Sequence, residues 1–127
     1  MLLMSCFVLT LYAPPEAAAQ TLLARGHVFD DQNRNGVRDA NEPGIPRVAV
    51  SNGETVVLTD ADGYYELPIS DDAIVFVIKP RDWMTPVNTE QLPQFHYIHK
   101  PAGSPELTYP GVAPTGPLPE SIDFPLH

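Results

Sequence analysis

The chain has 127 residues, seven Lys and Arg against sixteen Asp and Glu, and a formal net charge of −9, a field that repels nucleic acid and anionic membrane surfaces. Its length allows one domain, its fifteen prolines work against long helices, and its single cysteine, Cys6, cannot form an intrachain disulfide.

Residues 1–20, MLLMSCFVLTLYAPPEAAAQ, read as a secretory signal. An apolar run from Leu2 to Tyr12 is followed by Pro14-Pro15 and by Ala17-Ala18-Ala19, small residues where a signal peptidase cuts. No Lys or Arg precedes Arg25, so the usual positive n-region is missing. The run is far shorter than the roughly 20 apolar residues of a membrane span. This reading places the protein outside the cytoplasm, secreted or periplasmic, and leaves residues 21–127 as the folded domain, without any cysteine.

Leu22 to Phe29, LLARGHVF, predicts a first strand with His27 on its surface rather than acting as a ligand. That strand runs directly into Asp31–Glu42, DQNRNGVRDANE, which satisfies every position of a twelve-residue calcium loop. Asp31, Asn33 and Asn35 stand at positions 1, 3 and 5, and Gly36 supplies the sharp turn at 6. The Val37 carbonyl falls at 7, Asp39 at 9 and Glu42 at 12. A hard cation takes six to eight oxygens at roughly 2.3–2.6 Å, and alternate residues of a tight loop point inward to supply them. The expected cofactor is therefore Ca2+, held by Asp31, Asn33, Asn35, Val37, Asp39 and Glu42. The alternative is a surface turn rich in Asn, Asp and Gly.

Pro43-Gly44-Ile45-Pro46 leads out of the loop, so the loop sits on a β scaffold and is not flanked by helices. Arg47 to Ser51 alternates as a second strand, Asn52-Gly53 signals a two-residue hairpin, and Glu54 to Thr59 returns as its partner. After the turn Asp60-Ala61-Asp62-Gly63 come an aromatic strand, Gly63 to Leu67, and Ala73 to Lys79, AIVFVIK, which is apolar on both faces as in a strand buried at the centre of a sandwich. Residues 81–118 form a long proline-rich loop carrying one edge strand, Gln94 to Lys100, with Trp83, Phe95, Tyr97 and Tyr109 expected to pin it down. Ser121 to Leu126 closes the fold, with Ile122 and Phe124 facing in and Asp123 facing out. The sum is an all-β antiparallel sandwich of about seven strands.

From Gly26 to Leu67 the motifs GHVFDD, the Asn33/Asn35/Gly36/Asp39/Glu42 spacing, GIPRVAV and TDADGYY resemble the serine-aspartate-repeat B-type and related prealbumin-like modules of secreted bacterial proteins. FVIKP at 76–80, HYIHKPAGSPEL at 96–107, YPGV at 109–112 and the closing SIDFPL resemble the N-terminal domain of secreted bacterial calcineurin-like metallophosphoesterases. The resemblance implies a prealbumin-like sandwich and a catalytic phosphoesterase domain, or another secreted protein, as partner. Calcineurin-like catalysis needs motifs of the kind D-x-H, G-D-x-x-D, G-N-H-D/E and G-H-x-H to hold two metals, and none occurs in this sequence. Gly26-His27 lacks the second histidine, and His96 and His99, three apart, fall on opposite faces of a strand. Asp60 and Asp62 are read as turn formers, with a place in the calcium site as the alternative. The expected function is a non-catalytic calcium-binding accessory module; the rival is a free-standing adhesion module that holds a protein or carbohydrate on its aromatic loop.

Overall fold

Period-two alternation builds two sheets. In the computed structural model, which describes residues 22–106, 108 and 110–127, the strands are β1 (Leu22–Asp30), β2 (Ala49–Ser51), β3 (Val56–Leu58), β4 (Tyr64–Ile69), β5 (Ala73–Ile78), β6 (His96–His99) and β7 (Phe124–Leu126). The signal reading of residues 1–20 and the pinning role of Tyr109 lie outside the described residues. One sheet has the order β4-β1-β7 and the other β3-β2-β5-β6. Among the described residues there is no helix, and the all-β sandwich is the architecture.

The core lies between the sheets. Ala24 and Val28 from β1, Tyr65, Leu67 and Ile69 from β4, and Phe124 and Leu126 from β7 meet Val50, Val75 and Val77 from the second sheet. Ile122 and Phe124 point inward and Asp123 outward, as their alternation requires. Trp83 and Tyr97 pack against this core and tie the long loop down. Phe95 does not; it is 39% exposed.

Three further details depart from the sequence reading. β7 pairs with β1 in parallel, Val28 opposite Phe124 and Asp30 opposite Leu126, whereas every other pair is antiparallel. β1 and β7 are the first and last strands, so the chain between them far exceeds the crossover of a dozen residues or more that a parallel neighbour requires. The β2–β3 loop holds four residues, Asn52 to Thr55, where the sequence predicts a two-residue turn, and the Asn52 side chain closes it. Its Oδ1 accepts the Glu54 and Thr55 N–H groups (2.9 and 2.7 Å) and its Nδ2 donates to the Pro68 carbonyl (2.6 Å). Finally, β5 is central within its sheet but covered on one face only, leaving Ile74 and Ile78 exposed.

Candidate metal centre

The Asp31–Glu42 loop leaves β1 and is bonded back to it. Asp30 N–H donates to the Pro43 carbonyl (2.9 Å), Ile45 N–H donates to the Val28 carbonyl (2.8 Å), and Phe29 bridges to Gly44. Asp31 N–H donates to the Leu126 carbonyl (2.8 Å), so the loop's first residue is also held by β7. On the far side Gly44 lies so close to Asp62 that a Cβ would collide with the Asp62 carbonyl. Gly63, at φ 76°, accepts the Val28 N–H on its own carbonyl (2.8 Å). Three segments thus clamp the base of the loop.

Positive φ at Arg34 (57°) and Gly36 (77°) curls the tip so that backbone N–H groups turn inward. Asp31 accepts Asn35 N–H on Oδ1 (3.2 Å) and Gly36 N–H on Oδ2 (2.8 Å). Glu42 accepts Gln32 N–H on Oε2 (2.6 Å) and Asp39 N–H on Oε1 (2.9 Å). Asp39 Oδ2 takes the side-chain amides of Asn33 (2.6 Å) and Asn35 (3.0 Å). The amide oxygens of those two asparagines cap the Asn35 and Val37 N–H groups (3.2 and 3.0 Å). The Val37 side chain points to solvent, 62% exposed, which leaves its main chain as the part that can serve the loop.

Asp31 and Glu42 are each 3% exposed, and among the described residues no ion pair joins either to Lys, Arg or His. A buried carboxylate is costly unless hydrogen bonds and opposite charge compensate it. Backbone N–H groups supply the first here and nothing among the described residues supplies the second. No three His, Cys, Asp or Glu side chains of the described residues are grouped closely enough to hold a metal by themselves. The loop's oxygens are spread over acids, amides and the main chain.

Asp60 is a turn former: its Oδ1 accepts Asp62 N–H and Tyr64 N–H, both at 2.9 Å. Asp62 lines a shallow recess with Arg38, Asn41 and Glu42 beside the loop exit. His27 is half-buried with its ring against Tyr64 (5.3 Å). His96 is exposed and His99 is 1% exposed, on opposite faces of β6. Sequence reasoning missed Thr59, which is buried, accepts Val48 N–H (2.8 Å) and donates to the Ile45 carbonyl (2.7 Å), fixing the loop exit to β2. It also missed the Leu126 carbonyl, which no local pattern announces.

The family described as "N terminal of Calcineurin-like phosphoesterase" matches residues 32–109. Colossin-A of Dictyostelium discoideum is 42% identical over 53 residues, a stretch that is 39% of this chain and, to the nearest percent, 0% of that protein's own length. No solved structure matches the chain. The family match takes in more than half of the chain, running from the second residue of the loop through β6, and the chain belongs to the N-terminal domain family of calcineurin-like phosphoesterases.

Proposed function

We propose that this accessory domain is a non-catalytic calcium-binding sandwich, exported from the cytoplasm, that supports a phosphoesterase domain from outside its active site. The observation that carries the calcium reading is the pair of carboxylates, Asp31 and Glu42, buried to 3% each with no cationic partner among the described residues. The donor set suits a hard cation because it is oxygen throughout: Asp31, Asp39, Glu42, the Asn33 and Asn35 amides and the Val37 carbonyl. Asn33 and Asn35 now direct N–H groups at Asp39. A half-turn of each amide exchanges those donors for oxygens at no change in shape, at the cost of the bonds the two oxygens now accept from the Asn35 and Val37 N–H groups. The non-catalytic reading rests on the absence of two-metal phosphoesterase motifs from the sequence.

The test is thermal unfolding with excess chelator, calcium or magnesium, on wild type and on Asp31→Ala and Glu42→Ala. With neutral asparagines at positions 3 and 5, a dissociation constant on the order of 10⁻⁴–10⁻³ M is expected. Free calcium at about ten times that value then stabilises by roughly 1.4 kcal/mol. Magnesium gives a smaller shift, because it demands octahedral geometry and sheds water reluctantly. Both variants lose the calcium shift. A wild-type midpoint indifferent to calcium would reduce the loop to a structural turn.

A further inference from the structure

Among the described residues the outer face of the β3-β2-β5-β6 sheet is largely exposed and apolar, with Val112 and Lys100 of the long loop beside Ile74 and Ile98 at its β6 edge. Leu58 and Ile78 flank Ala49 in one row, and Val56 and Phe76 flank Ser51 in the next. Ile74 and Ile98 pair in a third row. Leu58 is 62% exposed, Val56 57%, Ile74 48% and Ile78 47%, so this side of the sheet presents a mainly apolar field to solvent, with the exposed His96 beside Phe76 at its β6 edge. From these exposures the field measures roughly 500 Å² per chain, at the upper end of what a monomer leaves open.

The two ends of this field differ in charge. At one end lie Glu54, in the β2–β3 loop, and Asp72, at the head of β5; both line a recess with Ile74 and Phe76. Lys100 pairs with Asp72 (3.2 Å) and leaves Glu54 uncompensated. At the other end lie Arg47, whose N–H donates to the Thr59 carbonyl beyond β3, and Lys79, which follows Ile78 at the foot of β5. All four side chains are exposed. Asp60 shares the basic end, with its carboxylate folded onto its own turn.

We propose that this face binds a second copy of the chain, giving a two-fold dimer in which the two four-stranded sheets pack face to face with their strands antiparallel. A two-fold axis lying in the interface and perpendicular to the strands reverses strand direction but keeps the lateral order. Glu54, on the β2–β3 side, then lies over the partner's Arg47 on that same side. Asp72, on the β5 line, is already paired with Lys100 of its own chain, and Lys79 donates to the Pro80 carbonyl (3.3 Å), so the Glu54–Arg47 pair carries the charge match. An axis along the strands would stack acid on acid and base on base, so charge selects the first arrangement. The buried area, roughly 1,000 Å² in total, meets the lower bound of a specific interface and makes the dimer reversible rather than obligate. The net charge of −9 opposes approach, but at about 0.15 M salt that repulsion is screened beyond about 8 Å, whereas the close pairs are not.

Sedimentation equilibrium of the full chain tests this. The expected mass is twice that of one chain. Leu58→Glu and Ile74→Glu, at exposed positions, keep the β dichroism of the wild type and weaken the dimer by at least about tenfold. Glu54→Arg and Arg47→Glu each weaken it, and the double exchange restores it. A chain that stays monomeric up to about 10⁻⁴ M, a dimer indifferent to Leu58→Glu, or a charge exchange without rescue overturns the proposal. None of these readouts depends on the calcium loop or on a phosphoesterase domain.

Discussion

Tyr65 ties the first sheet to the segment that enters β7. Its hydroxyl donates to the Ile122 carbonyl (2.6 Å), its ring lies 6.2 Å from that of Phe124, and the residue is 2% exposed. Burial first, and the Asp123 carboxylate second, push the phenol well above its ordinary value of 10.0. Above that value the unfolded chain loses the proton while the folded chain keeps it, so stability falls as pH rises. The contribution is complete below pH about 10 and disappears as pH climbs through the folded value. Tyr65→Phe is therefore expected to flatten the alkaline limb of urea-unfolding stability. At neutral pH it costs about 1 kcal/mol, because the Ile122 carbonyl loses its donor. An unchanged alkaline slope would count against this assignment. That Asp31 to Glu42 leaves β1 as a tight loop was legible in the sequence, because its Asn, Asp and Gly spacing is local. Thr59, Tyr65 and Leu126 were not, since each acts on a residue that only the folded sandwich brings near.

At the scale of elements, the loop's base is a crossing of three backbones, and Gly44 marks the point of closest approach. Its backbone does not lie in the left-handed region, so in open space Gly44→Ala would stabilise by about 0.4–1 kcal/mol through the unfolded chain. Here the added Cβ meets the Asp62 carbonyl, carbon and the Gly63 nitrogen, all main-chain atoms that cannot rotate away. The sign is expected to reverse, with a loss of about 1–3 kcal/mol in chemical denaturation. Gly44→Ala that stabilises would show that the crossing yields. Strand existence was readable from alternation, and all seven strands fall inside or beside the predicted stretches. What alternation leaves open is whether an apolar face is covered. AIVFVIK reads as buried on both faces, yet Ala73, Val75 and Val77 turn to the core while Ile74 and Ile78 face out. The direction of β7 was hidden for a related reason, because nothing local in SIDFPL records which neighbour it will meet.

For the whole molecule, fold and chemistry separate. A sandwich supplies a scaffold, and catalysis requires a site built upon it. Two-metal phosphoester hydrolysis needs a cluster of carboxylates and imidazoles to hold ions roughly 3.5–4 Å apart. Among the described residues no three His, Cys, Asp or Glu side chains converge in this way. His27 lies tilted against Tyr64, His96 faces solvent, and His99 is enclosed on the opposite face of β6 with its Nε2 3.4 Å from the Asp71 carboxylate. On the proposed calcium reading the loop's donors are all oxygen, and it offers no imidazole to a second, catalytic metal. The full chain with added manganese, zinc or iron is therefore expected to hydrolyse a generic aryl phosphate no faster than the metal salt alone. Calcium in the same samples should raise the unfolding midpoint without creating turnover. Metal-dependent hydrolysis that co-purifies with the chain and disappears in a His99→Ala or Asp31→Ala variant would place a catalytic centre where the side chains, as arranged, provide none.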